Sequence, residues 1–173
     1  DINLPLVSAN IQGQGIESFI IVEHLDMRIG ITGISTMGHP SIATPGFTRT
    51  PAVKAALPII ENLRSTTDIV ILFAHGVPEE AKRLARTGHV DVVIDTNEHR
   101  SFEPPFRIGQ AFWVRSHVQG MRIGELRIDT HKKWALDRKI DLDDSMPSEP
   151  RLQEIHDTAS SEIEALEKSL FSR

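Results

Sequence analysis

Three short stretches hold the residue types from which a metal or anion site could be assembled. The first is Phe73-Ala74-His75-Gly76, where a histidine closes a run of apolar residues. In layered α/β folds ligands bind at the carboxyl ends of strands, so an imidazole placed there can reach a ligand or a metal. The other reading of His75 is a strand-end histidine bonded to the next loop. The second stretch, Asp95-Thr96-Asn97-Glu98-His99-Arg100, follows another apolar run directly. If that strand continues, Asn97 and His99 point the same way and bring an amide oxygen and an imidazole to one side; if it does not, this is a solvated polar loop. In the third, Val114-Arg115-Ser116-His117-Val118, polar and apolar residues alternate. Arg115 and His117 then share a wet strand face, and the Arg115 guanidinium matches phosphate geometry. His24, His39, His89, His131 and His156 have no neighbours at metal-ligand spacing, although His39 lies in a loop long enough to touch a substrate.

The elements that must carry these residues follow from the apolar pattern. Residues 4–11 predict a short buried strand that breaks at Gln12-Gly13-Gln14-Gly15. Two β-branched runs, 18–24 and 27–34, flank Leu25-Asp26 and predict a hairpin. A loop rich in Gly, Pro, Ser and Thr fills 35–50. Pro51 suits the start of a helix with Val53, Leu57, Ile60 and Arg64 on one stripe, joined by Ala56 and Leu63, and Pro58 should kink it. Residues 68–75 read as a strand buried on both faces. Pro78-Glu79-Glu80 opens a second helix, which Gly88 ends, and 90–95 is another buried strand. Strand, helix, strand, helix, strand is the order of an α/β layered domain. Beyond it, 111–119 and 121–129 read as an antiparallel hairpin, 141–150 as an acidic linker, and 150–171 as an amphipathic helix. The expected domains are 1–140 and 141–173.

Composition narrows the partners. The chain of 173 residues carries a formal net charge of -5, which argues against a nucleic-acid surface, since that needs clustered Lys and Arg. Cysteine is absent, so disulfides, thiolate metal sites and a cysteine nucleophile are excluded. No apolar stretch is long enough for a membrane-spanning helix. The first residues open onto a strand without a secretory signal pattern or a start methionine, as in a processed or partial chain.

Read in order, the blocks resemble the 5'-nucleotidase branch of the calcineurin-like metallophosphatase superfamily. Leu6-Val7-Ser8-Ala9-Asn10-Ile11 is similar to that family's strand ending in Ser-Ala-Asn. Residues 27–34 resemble its Lys-Ile-Gly-Ile-x-Gly strand, and 68–76 the stretch that ends in a ligand histidine before glycine. Residues 88–94 resemble the strand leading to its Gly-His-x-His block, and 119–126 its closing Gly-x-x-x-Gly-x-Leu strand. The resemblance implies a layered α-β-β-α sandwich, here only its C-terminal half plus the amphipathic helix. It implies two divalent metal ions, Mn, Zn or similar, that clamp a phosphate and generate a hydroxide. By position it makes His75 and His99 metal ligands and leaves Arg115 and His117 for substrate. It also favours a periplasmic or extracellular location, on which the sequence is otherwise silent.

The departures from the family pattern carry as much information. The first histidine of the Gly-His-x-His block is Asn97 here, a weaker ligand for a transition metal. The Asp-x-His, Gly-Asp and Gly-Asn-His-Asp blocks that precede the Ser-Ala-Asn strand do not occur, so no catalytic residue is expected in this chain alone. His75, Asn97 and His99 are neutral and cannot balance two dications without carboxylates. Three expectations follow. The chain is part of a metal-dependent phosphoester hydrolase completed by its missing N-terminal half or by another chain. Alternatively it is a degenerate, non-catalytic scaffold that meets a protein partner through the C-terminal helix. A third reading is an unrelated α/β ligand-binding domain in which Arg115 or the 35–50 loop holds an anion.

Overall fold

The computed structural model describes residues 4–36, 45–96, 105–115, 122–128, 135–143, 146–147 and 149–171. The chain divides into two compact units, Asp1–Ile140 and Asp141–Arg173.

The first unit is built on a six-stranded mixed sheet. Its strands are β4 (Ile20–His24), β5 (Met27–Ser35), β7 (Ile69–His75), β8 (Val92–Asp95), β9 (Phe106–Ile108) and β10 (Ala111–Arg115), in the order β4-β5-β7-β8-β10-β9. The four central strands are parallel, and β4 and β9 run antiparallel along the edges. The expected β4–β5 hairpin forms, with Ile20 opposite Ile31 and His24 opposite Met27. Its two-residue turn holds Leu25 at φ 48° and Asp26 at φ 61°, the positive-φ pair that matches the twist of a tight hairpin.

Helices α1 (Ala52–Thr66) and α2 (Pro78–Ala85) connect the parallel strands. Spacing of three and four residues puts Ala52, Ala56, Ile60 and Leu63 of α1 on one buried stripe, while Val53 and Leu57 pack at its margin. The α1 helix is continuous through Pro58. These residues and Ala81, Leu84 and Ala85 of α2 cover Ile34, Val70, Leu72, Ala74, Val93 and Trp113 on one face of the sheet. Gly30 admits that packing, since a Cβ there would lie 2.9 Å from Leu63 Cδ2.

The opposite face departs from expectation. β7 was expected to be buried on both sides, yet Val70, Leu72 and Ala74 are buried while Ile69 and Ile71 are half-buried and Phe73 is 41% exposed. Directly paired residues share a face, so Met27, Ile29, Ile31, Ile94 and Val114 join Ile69 and Ile71 on this side. The guanidinium of Arg107 covers Phe112, 3.9 Å from its ring centre, at the far end. A cavity of about 480 Å³ lies over the middle, bordered by Ile71, Val92 and Ile94 and by Gly124 and Leu126 of β11 (Arg122–Ile128). The crossover helices α1 and α2 both pack on the other face.

Two strand readings need correction. The stretch 4–11 is two short strands, β1 (Leu6–Val7) and β2 (Ile11–Gln12), separated by a bend at Ala9-Asn10. Long-range bonds break it: Ala9 N donates to Gly33 O, and Thr50 N donates to Asn10 O. β1 pairs parallel with β3 (Ile16–Glu17), and β2 pairs antiparallel with β6 (Thr48–Arg49) within the expected 35–50 loop. Strands β10 (111–115) and β11 (122–128) do not pair as the expected late hairpin. β10 belongs to the main sheet between β8 and β9, whereas β11 pairs with β12 (Ala135–Asp141) in a separate two-stranded sheet. The apolar run of 111–114 does not distinguish a parallel interior strand from one arm of a hairpin.

The second unit contains α3 (Pro150–Phe171). Its apolar stripe is exposed, with Leu152 at 65%, Ile155 at 58%, Ile163 at 57% and Leu166 at 61%. No described helix is long and apolar enough to cross a membrane.

Candidate functional site

The parallel register brings three strand ends together. Ser35 pairs with His75, and Ala74 pairs with Asp95, so the residue after β8, Thr96, arrives beside the end of β7. Thr96 N donates to Ala74 O at 3.0 Å and its Oγ1 lies 3.3 Å from the same oxygen. Thr96 Oγ1 is also 3.0 Å from His75 Nδ1. Thr36 N donates to His75 O at 3.0 Å, which carries the chain on from β5 alongside β7.

The bend of 8–10 builds the wall of this site. Asn10 is fully buried, and its side chain exchanges two bonds with the backbone of Ser35: Asn10 Nδ2 donates to Ser35 O at 2.9 Å, and Ser35 N donates to Asn10 Oδ1 at 3.0 Å. Ser8 Oγ accepts from Ile11 N at 3.1 Å and fixes the turn. Gly33 lets the two segments meet, because a Cβ there would stand 3.0 Å from Val7 O. The result is a cleft of about 220 Å³ with Val7, Ser8, Ser35, Phe73, His75 and Thr96 on its walls. His75 is exposed at its rim.

Arg115 sits elsewhere on the same edge. Its Nε is 3.7 Å from Asp95 Oδ2, with side chains 18% and 4% exposed, and its guanidinium lies 5.5 Å from the centre of the Phe106 ring. Phe106 in turn stacks on Trp113 at 6.0 Å. Arg115 is therefore held by a buried carboxylate and an aromatic shelf. Asn97, His99 and His117, expected beside His75 and Arg115, lie outside the described residues, as does His39. Sequence reasoning missed Thr96, Ser35 and Asp95. Asp95 and Thr96 were visible as polar residues closing an apolar strand; Ser35 was not, because its part is played by backbone atoms.

What the described residues can hold follows from their chemistry. His75 offers one imidazole, and Ser8, Ser35 and Thr96 offer hydroxyls. No group of three or more His, Cys, Asp or Glu suited to a metal occurs among the described residues. The nearby carboxylate, Asp95, is committed to Arg115. A pair of dications needs carboxylate charge that these residues do not bring, so the described half-site does not by itself fit a two-metal centre.

No family model matches the sequence, and no curated protein matches it significantly. Solved structures do match in fold. A Staphylococcus aureus protein assigned as a 5'-nucleotidase, solved with alpha-ketoglutarate, superposes with a TM-score of 0.69 over 92% of this chain and 37% of its own, at 16% identity. Haemophilus influenzae NAD nucleotidase gives 0.61 over 72% of this chain and 31% of its own, at 15% identity. The 5'-nucleotidase of Candida albicans gives 0.55 over 78% and 30%, at 12% identity. The chain thus spans about a third of the length of these structures. At these identities the likeness shows the fold: a layered α/β arrangement of the nucleotidase kind, matched as a part of a larger structure, with a C-terminal helix.

Proposed function

We propose that this chain is the C-terminal half of a metal-dependent phosphoester hydrolase of the 5'-nucleotidase kind, inactive alone and completed by a second sheet layer. That layer comes from an N-terminal half of the same protein or from another chain. The observation that carries the reading is the apolar face of the six-stranded sheet that α1 and α2 leave uncovered, whose β7 ends in His75 at a cleft. A face of Ile29, Ile69, Ile71, Ile94 and Val114 costs free energy in water and is stabilised by burial against another apolar layer.

In this reading His75 and His99 bind metal through imidazole nitrogen, with Asn97 the weaker oxygen donor, and the layer that covers the sheet brings the carboxylates. Bound divalent ions such as Mn²⁺ or Zn²⁺ supply Lewis-acid polarisation and an activated water. Arg115 and His117 are candidates for substrate contact, and a periplasmic or extracellular location accords with the same likeness.

The test is hydrolysis of nucleoside monophosphates with Mn²⁺ or Zn²⁺, together with metal content. The chain alone should show neither activity nor stoichiometric metal. A longer polypeptide that carries it with Asp-x-His, Gly-Asp and Gly-Asn-His-Asp blocks should show both, and His75→Ala should abolish hydrolysis. A longer polypeptide that binds no metal and hydrolyses nothing would replace this reading with the second one. That second reading, a degenerate scaffold with a protein partner at α3, is favoured by Asn97 standing where the family has histidine. Gain of activity in Asn97→His would support it.

A further inference from the structure

The hydrogen-bonding capacities of three groups at the end of β7 bear on the place of one proton. Thr96 Oγ1 touches two partners, Ala74 O at 3.3 Å and His75 Nδ1 at 3.0 Å, and a hydroxyl has one hydrogen to give. Ala74 O can only accept. That oxygen already accepts from Thr96 N at 3.0 Å and keeps a second lone pair, towards which the hydroxyl is oriented to donate. With the hydroxyl hydrogen given to Ala74 O, the hydroxyl lone pair is left for a donor, and that donor is Nδ1–H. The chain Nδ1–H···Oγ1–H···O=C then uses every group, and each bond polarises the next.

We infer that Thr96 is a positioning residue that holds neutral His75 in its Nδ1–H form and leaves the Nε2 lone pair as the ring's acceptor at the cleft. Free histidine side chains favour the opposite form, Nε2–H, so the arrangement is imposed by the fold. Which nitrogen of an imidazole binds a ligand is set by the bond the other makes. The partner is supplied by the register, since Ala74 opposite Asp95 places the next residue, Thr96, against the His75 ring. Ser or Thr at position 96 can fill the role; Val, which matches Thr in shape, cannot. The inference deepens the hydrolase reading, on which the use of that lone pair rests, while the tautomer itself does not depend on it.

The experiment is long-range ¹H–¹⁵N correlation on the uniformly labelled full chain, without metal, at about pH 8.5, roughly two units above the ordinary histidine value. His75→Gln identifies the His75 signals. The expected result is a protonated, pyrrole-type Nδ1 and an unprotonated, pyridine-type Nε2. Thr96→Val should shift both signals toward the Nε2–H form, and Thr96→Ser should restore the original pattern. A wild-type His75 in the Nε2–H form, or identical signals in Thr96→Val with an unchanged amide spectrum, would overturn the inference. If the tautomer is as stated and no completed polypeptide hydrolyses a phosphoester, the hydrolase reading fails and the positioning role stands. If hydrolysis occurs and the tautomer is Nε2–H, the reverse holds.

Discussion

Asn10 and Ser35, twenty-five positions apart, are joined by two hydrogen bonds in which one side-chain amide imitates a strand neighbour for the end of β5. The planar amide presents a donor and an acceptor side by side, a pair that among side chains only the longer Gln also offers. Asn10→Ala should lower stability by about 2–4 kcal/mol, since it removes two bonds and strands buried backbone groups. Asn10→Asp should also destabilise, because a carboxylate cannot donate to Ser35 O. Urea denaturation of both variants checks this, and a loss below about 1 kcal/mol would show the clamp to be peripheral.

At the other end of the sheet Asp91 Oδ2 accepts from Arg64 Nη1 and from Val70 N, both at 2.8 Å. Arg64 Nη2 also donates to Thr67 O at 3.0 Å and Asp68 O at 2.9 Å. This ties α1, the start of β7 and the turn before β8 together. Asp91→Ala should cost about 2–3 kcal/mol, in the range of charge-assisted bonds. A double-mutant cycle with Arg64→Ala should return a coupling of about 1 kcal/mol or more.

Gly30 faces the α1 stripe at Leu63 and Thr67, and a methyl group there would stand 2.9 Å from Leu63 Cδ2 and 3.1 Å from Thr67 Oγ1. Gly30→Ala should cost about 1–3 kcal/mol by overpacking. The readout is the thermal midpoint, with Leu63→Val in the Gly30→Ala background as a partial rescue.

The partly exposed second sheet face predicts solution behaviour. The chain alone should bind a hydrophobic dye and self-associate. Val22→Lys and Phe73→Lys, at side chains each 41% exposed, should raise the monomer fraction in sedimentation velocity and leave the thermal midpoint nearly unchanged. A wild-type chain that is monomeric at high concentration and binds no dye would remove the support for a covering layer.

Acid should act on the start of α2. The Glu79 carboxyl is held below its ordinary range by its hydrogen bond to Lys82 and then by the Lys82 charge. A lowered carboxylate value adds stability above the ordinary carboxylate range, which is lost as pH falls through the lowered value. The pair is exposed, so the effect is small. Lys82→Met should flatten the acid side of a plot of urea midpoint against pH, and an unchanged slope would remove Glu79 from the account.

Local chemistry made part of this structure legible. The β4–β5 turn, the start of α2 at Pro78 and the apolar runs of β7 and β8 are each set by residues adjacent in sequence, and His75 could be placed at a strand end from its run alone. The bend at Ala9-Asn10 depends on Gly33 and Thr50, tens of residues away, so periodicity did not reveal it, and periodicity also says nothing of which neighbouring strand β9, β10 or β11 chooses. Thr96 was visible as a polar residue, but its contact with His75 was not, because register brings the two together. The buried and open sides of β7 could not be told apart because both are apolar.

That neither crossover helix covers the second face follows from handedness. The order β5-β7-β8 steps across the sheet in one direction without reversal. Crossovers between parallel strands are right-handed, so steps in one direction deposit their helices on one side only. A sheet that winds back on itself clothes both sides; this one does not. No exchange of residues along the crossovers α1 and α2 can therefore clothe it, and a cover has to be contributed by polypeptide outside this β-α-β-α-β path.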